Sequence, residues 1–525
     1  MIRGRSFRFR QALTALAVVL GLLHPLRAGT EEALPDPFED AQFLPASITQ
    51  FYCFVDAGEE LREVLDSSLA PGLQTFYEKC RSGRSWRELA QSTGIEPNVL
   101  FDMLVSRRVT LVTDQEDENR IGPGPVDYSR WVMMARVEEP FALDLLRMLG
   151  GRVREFVEET PVYAAEGGSL RFAYRDGRFY VAASNAHALF RSMLATTINP
   201  ALCDDEEFRE ARRVGPGDFG MFKRGRGDVH WEAGAAKMRR DYMQINLVKR
   251  HEPKPVNRDQ TDAINLGLLE TLGEEAVYVG IERTPDSSSL PCERTASTGI
   301  LPIVPLVRAK PGMLEHLGPT MITVIGPPAT AGSGLPAMTV AIEMRSPQAA
   351  VGELDEFMAQ ATARLSGRRR RSDDATPPVE VINAGAAPET LRVAACGGSG
   401  MPARLLGLEG TWPAEVVWSS AITDDRAWWV ASTDRESQSR ILGKVQSFTE
   451  TCRKPSRTEA RGVVFGSRLA SLMQPWPAVN SESKHPFLAE LFAWRELLTC
   501  VRDIKWRVSR PSDERTETYV SVSWR

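Results

Sequence analysis

Two stretches of the chain, about 249 residues apart, carry one pattern. Arg178-Phe179-Tyr180-Val181-Ala182-Ala183-Ser184-Asn185 runs into a helical pattern ending at Arg191, and Trp428-Trp429-Val430-Ala431-Ser432-Thr433-Asp434 does the same before Arg440. Overlaid without a gap, they match aromatic to aromatic, Val181 to Val430 and Arg191 to Arg440. Self-similarity at a fixed spacing signals a duplicated architecture, which constrains the fold more than any local motif. The repeated positions carry no catalytic or cofactor signature.

The chain opens with the three parts of a secretory signal peptide. Arg3, Arg5, Arg8 and Arg10 precede an apolar run from Ala12 to Leu23, and Ala28 is the expected cleavage site. The run is shorter than the ~20 residues of a spanning helix. A second apolar stretch, Ile300–Val307, is short and broken by Pro302 and Pro305, so no transmembrane anchor is expected after cleavage. The mature chain is expected in the periplasm or outside the cell. Losing five arginines with residues 1–28 leaves 59 Lys+Arg against 69 Asp+Glu, a net charge of −10. That balance disfavours a nucleic-acid partner, which needs clustered cations.

The length suggests two or more domains. Residues 29–46 read as a flexible, acidic, proline-containing leader, 47–310 as a first half and 311–525 as a second, with a mobile insertion at 367–378. Gln50–Asp56 reads as a strand with a helix after it, and related passages are expected at Asp228–Met238 and Val463–Met473. Helix-strand-hairpin units recur four times, with tight turns at Asp176-Gly177 and Asp424-Asp425. The expected class is α+β: two related halves of split β-α-β, ferredoxin-like units with antiparallel sheets. Gly326–Pro336 reads as a hairpin loop inside the second half.

Seven cysteines (Cys53, Cys80, Cys203, Cys292, Cys396, Cys452, Cys500) include no Cys-x-x-Cys pair, which disfavours a metal or redox site. Structural thiols are expected, with Cys53–Cys80 and Cys452–Cys500 as the bridges that would each fall within one unit.

The strings that resemble catalytic or binding motifs fail in context. Gly215-Pro216-Gly217-Asp218-Phe219-Gly220 matches a dinucleotide-binding pattern by letter, but Pro216 lacks the N–H that cradles phosphate. Arg226-Gly227-Asp228 reads as a turn before a strand, with Arg461-Gly462-Val463 as its counterpart. Gly332-Ser333-Gly334 and Gly398-Ser399-Gly400 lack the strand and glycine of a nucleophile elbow. His187, His230, His251, His316 and His485 share no metal-ligand spacing, and Asp204-Asp205-Glu206-Glu207 reads as a solvated acidic run. No cofactor, metal site or catalytic residue is therefore assigned.

Eight of the eleven tryptophans lie from Trp412 onward. Exposed tryptophan faces suit glycan or polypeptide binding, so Trp418, Trp428 and Trp429 are the candidate binding residues. Trp428 and Trp429, being adjacent on a strand, must face opposite ways.

The segment Leu44-Pro45-Ala46-Ser47-Ile48-Thr49-Gln50-Phe51-Tyr52-Cys53-Phe54-Val55-Asp56 resembles the opening strand of a group of exported bacterial proteins of unknown function, which often carry repeated α+β hairpin units. Ile48 is an extra residue relative to that group's Leu-Pro-Ala-x-Thr-like pattern. The resemblance implies an extracytoplasmic location and carries over no catalytic residue. The expected function is non-catalytic binding or scaffolding of an envelope protein or glycan. The alternatives are an exported hydrolase with a spatially assembled site and a carrier of an apolar ligand.

Overall fold

The structure, a computed structural model, describes residues 35–55, 69, 71–72, 108–114, 130–148, 152–164, 170–195, 197–225, 227–239, 241–253, 266–283, 316–327, 336–346, 381–382, 390–393, 416–423, 427–448, 458–474 and 486–524. The signal at 1–28 with Ala28, the insertion at 367–378, both Gly-Ser-Gly strings and His485 lie outside them.

The chain divides at Pro253/Lys254, with Glu514–Arg525 counted in the first unit. This corrects the expected boundary at 310/311. Residues 254–310 open the second unit, and the last strand belongs to the first.

The first unit contains β1 (Gln50–Phe54), β2 (Val109–Thr113), β3 (Val132–Arg136), β4 (Arg152–Val157), β5 (Thr160–Ala164), β6 (Leu170–Arg175), β7 (Arg178–Ala183), β8 (Phe219–Arg224), β9 (Val229–Arg239), β10 (Tyr242–His251) and, from the C-terminus, β20 (Arg515–Trp524). Every pairing is antiparallel, in the order 4-5-6-7-3-2-1-8-9-10-20. Its α-helices among the described residues are α1 (Glu139–Met148), α2 (His187–Leu194) and α3 (Glu206–Ala211).

The second unit contains β11 (Tyr278–Arg283), β12 (Leu317–Gly326), β13 (Ala337–Met344), β14 (Val381–Ile382), β15 (Thr390–Val393), β16 (Val416–Ile422), β17 (Trp428–Ser432), β18 (Thr458–Val464) and β19 (Val501–Ser512). Its antiparallel order is 14-15-16-17-13-12-11-18-19. Each of these strands stands ten places after its counterpart in the first unit, so the duplication extends over the whole sheet. Helices α4 (Leu266–Gly273), α5 (Arg435–Phe448), α6 (Gly466–Met473) and α7 (Pro486–Cys500) belong here.

Antiparallel sheets with helices on their faces give the α+β class its support. The sheets are wider than the four strands of a single ferredoxin-like unit. The Asp176-Gly177 turn has φ of 50° and 73°, the left-handed geometry of a tight two-residue hairpin. Gly326 and Ala337 pair at the mouth of the β12–β13 hairpin, as the loop reading of 326–336 expects. Asp228–Met238 departs from expectation, because Val229–Arg239 is one long strand between β8 and β10. Its small residues carry little helical or strand pattern of their own, and the two flanking strands decide the conformation. Arg461-Gly462 lies inside β18, so it is not the counterpart of the turn at Gly227, where φ is 63°.

The ungapped overlay of the repeat is one residue out in the strand. Tyr180 and Ala182 point into the core under α2, with Leu189, Phe190 and Met193, while Phe179 and Val181 pack on the opposite face with Leu145 of α1. In the second unit Trp428 and Val430 lie under α5, with Ile441 and Val445. The structural partner of Val430 is therefore Tyr180, since a shift of one residue reverses every side chain in a strand. The aromatic pairs in both segments made the wrong register look right.

Of the residues taken as a flexible leader, 35–46 are part of the first core. Pro35–Leu44 folds over the sheet through the short 3-10 helix Glu39–Phe43, burying Phe38, Ala41 and Leu44. Phe38 stacks at 5.7 Å from Phe51 and meets Phe208 edge-on at 5.7 Å. Gly220 of β8 makes room for this segment, because a Cβ there would stand 2.7 Å from Pro37. Gly220→Val should destabilise the first unit by about 1–3 kcal/mol through overpacking, read as a lower denaturant midpoint.

The closing strand is tied in by polar contacts. Nine residue pairs join β10 to β20, Arg250 donates to Glu514 at 2.8 Å, and His251 Nε2 lies 3.0 Å from Thr516 Oγ1. A chain ending at Asp513 should lose hydrogen-exchange protection along β10; unchanged protection there would contradict the assignment of β20 to this sheet.

Candidate functional site

A charged cluster lies inside the core of the first unit, at the end of the sheet covered by the 3-10 helix. Alternation along the strands puts Arg108 and Thr110 of the β2 segment, Arg136 of β3, Arg178 of β7 and Cys53 of β1 on the same face. Asp40 enters from above and is 1% exposed. Its Oδ2 accepts from Arg108 Nε at 3.0 Å and Thr110 Oγ1 at 2.8 Å, and its Oδ1 accepts from Arg136 Nη2 at 3.0 Å. Arg178 Nη2 lies 3.9 Å from the same Oδ1, and its guanidinium stacks 3.5 Å from the Phe43 ring centre. Glu39 accepts from Arg108 at 3.1 Å and Arg136 at 2.8 Å, while Arg108 Nη2 donates to the Asp36 carbonyl at 2.7 Å.

Burial pushes the Asp40 carboxyl up, but the Arg108 and Arg136 guanidiniums outweigh it and hold the group below its ordinary value. Burial pushes the Cys53 thiol up to about 12, so it is no nucleophile at neutral pH. A carboxylate held ionised and filled by donors is likewise a poor general acid or base. The cluster fastens Pro35–Leu44 to the sheet. In the second unit Val430, Ala341, Ile322 and Ile281 stand where the first has Tyr180, Met134, Thr110 and Cys53, and the pair Glu343–Trp428 stands where the first has Arg136–Arg178.

The acidic run at 204–207 is also engaged. Asp205 caps α3 by accepting from Phe208 N at 2.9 Å, and Arg224 donates to Asp205 at 2.9 Å and to Glu207 at 2.5 Å. Gly215–Gly220 leads into β8 and then directly into the β9 hairpin, so no helix follows to hold a phosphate. His187 pairs with Glu155, and both ring nitrogens of buried His251 have partners. Cys53, Cys203 and Cys500 are free thiols, which removes both expected bridges. Among the described residues no group of three or more His, Cys, Asp or Glu could hold a metal, and no helix is long and apolar enough to cross a membrane.

The tryptophan platform needs correction. Trp428 and Trp429 do face opposite ways, but each is only 5% exposed, and Trp428 fills the core under α5. Bulky aromatic side chains on a central strand are consumed by packing. Trp418 lies in β16 opposite Leu391. Among the described residues, the large apolar side chains that do reach the surface are Phe156 at 61%, Val153 at 48%, Leu143 and Ile422. Sequence reading passed over the first two because Arg152–Val157 has no clean alternation.

No protein-family model, curated protein or solved structure matches the chain.

One carboxyl differs from the rest. Glu282 of β11 is pushed above its ordinary value by burial alone, and Tyr278 on the same strand face is raised by burial and by Glu282. The two acids give opposite pH signatures. Asp40 has a lowered value in the fold, so its stabilisation is present above the unfolded value and lost as pH falls through the folded one. Asp40→Ala should cost about 3–5 kcal/mol at pH 7 by leaving buried arginines uncompensated, with the difference shrinking in acid. Glu282 has a raised value, so stability falls as pH climbs above the ordinary carboxylate range. Glu282→Gln should be at least as stable as the native chain at pH 8, and a less stable variant there would mean that the carboxylate has a partner.

Proposed function

We propose that the protein is a non-catalytic binding or scaffolding protein of the bacterial envelope, acting outside the cytoplasm on a protein or glycan partner. The observation that carries this reading is the engagement of the first unit's acids. Asp40, Glu39, Asp205, Glu207, Glu210 and Glu155 are each held by arginine, which takes these carboxylates out of service as general bases, and the Thr516 hydroxyl beside His251 Nε2 belongs to the β10–β20 strand pair. The location rests on the signal at 1–28 and on the resemblance of Leu44–Asp56 to exported proteins. A split β-α-β origin for each half belongs to the same proposal: β3 and β6 run parallel with β7 between them, joined through α1.

An exported hydrolase is the second reading, favoured by the partly buried Glu282 beside Tyr278, since a carboxyl raised by burial suits acid-base chemistry. Cross-linking of the tagged protein in its bacterial host, with mass spectrometry of what it captures, tests the first reading. A stoichiometric envelope partner is the expected outcome. Turnover of a hydrolase substrate that is abolished in Glu282→Gln, with no captured partner, would replace it by the second.

A further inference from the structure

The first unit's sheet ends at β4, which among the described residues pairs only with β5. A bulge interrupts that pairing between Val153 and Glu155, leaving Arg154 as the extra residue. Its effect follows from the register. Val153 stands opposite Tyr163 and Phe156 opposite Pro161, so both fall on the face that carries α1, although they are three residues apart. A regular strand would have sent them to opposite faces. Leu143, on α1, is the third exposed apolar side chain of this unit. Glu155 and Val157 take the other face, where Glu155 is held by His187 and Arg191.

Most of the unit's described arginines are engaged by carboxylates, with Arg209 and Arg213 among the exposed exceptions. Arg108, Arg136, Arg147, Arg175, Arg191, Arg224 and Arg250 each lie within 4.0 Å of a carboxylate. Arg152 and Arg154 are exposed and have no carboxylate partner among the described residues. An antiparallel pairing of two such edges centred on Arg154 would set arginine against arginine, and charge is a common protection of sheet edges. The same charges complement an acidic chain.

We infer that β4 takes an extended acidic segment of a partner protein as an added strand. Its backbone pairs with the free edge, its carboxylates meet Arg152 and Arg154, and its apolar side chains cover Val153 and Phe156. This inference deepens the binding reading and rests on it.

The test uses the full-length mature protein and three fluorescent eight-residue probes: alternating Glu-Val, alternating Lys-Val, and a Glu-Pro control that cannot form a strand. At low salt the Glu-Val probe should bind, and the Lys-Val and Glu-Pro probes should not. Arg152→Glu combined with Arg154→Glu should weaken the Glu-Val probe by at least about tenfold and gain the Lys-Val probe. Val153→Ser with Phe156→Ser should weaken binding without lowering the melting temperature, because both side chains are exposed. Equal binding of both charged probes, binding of Glu-Pro, or binding of none overturns the inference. So does a native dimer in light scattering that Phe156→Ser converts to monomer, which would assign the edge to a second copy. Capture of the same envelope partner by the native chain and by the arginine-reversal variant would leave the binding reading standing and remove β4 as its site.

Discussion

A single carboxylate taken out of water fixes how the first unit is assembled. Asp40 is tolerated in the core only because Arg108, Arg136 and Thr110 supply its hydrogen bonds and Arg178 stands close behind. Those donors come from three strands, β2, β3 and β7, and are brought into line by the register of the sheet. The acid comes from a segment that precedes all of them. The order of the strands and the position of the N-terminal segment are therefore specified together: neither is satisfied without the other. Phe38 and Leu44 add apolar burial to the same segment, so charge and packing select one arrangement.

The second unit keeps the strand order and sets Ile281, Ile322 and Trp428 where the first has Cys53, Thr110 and Arg178, with Glu343 in place of Arg136. Duplication thus preserved the scaffold while the two cores diverged in chemistry. Helix α4 precedes β11 as the 3-10 helix precedes β1, and its Leu272 packs in the second core. An apolar filling needs only volume and shape, whereas the ionic one needs each donor in place.

Much of the α+β character, the strand at β1 and the hairpin at Asp176-Gly177 were legible from alternation and turn residues. Three things were not. Asp36–Phe43 looks like a leader because its residues are acidic and proline-rich, and nothing local says that arginines 68 and 96 residues away will pair with Asp40. The strand register of the repeat was hidden because Phe179-Tyr180 and Trp428-Trp429 are both double aromatics, so sequence matching scores two registers alike while the sheet accepts one. The exposed pair Val153 and Phe156 was hidden by the bulge at Arg154, which breaks the period that sequence reading relies on.

The return of the last strand to the first unit has a consequence for the order of events in synthesis. Arg250 and Glu514, which join β10 to the segment entering β20, are 264 residues apart. Chains are made from the N-terminus, and domains generally begin to fold as they emerge. Here the first half is made early and waits for the whole second half before β10 receives its neighbour. An unfinished chain carries an open, ten-residue strand edge, so completeness of the polypeptide is itself a condition for closing the sheet that began it.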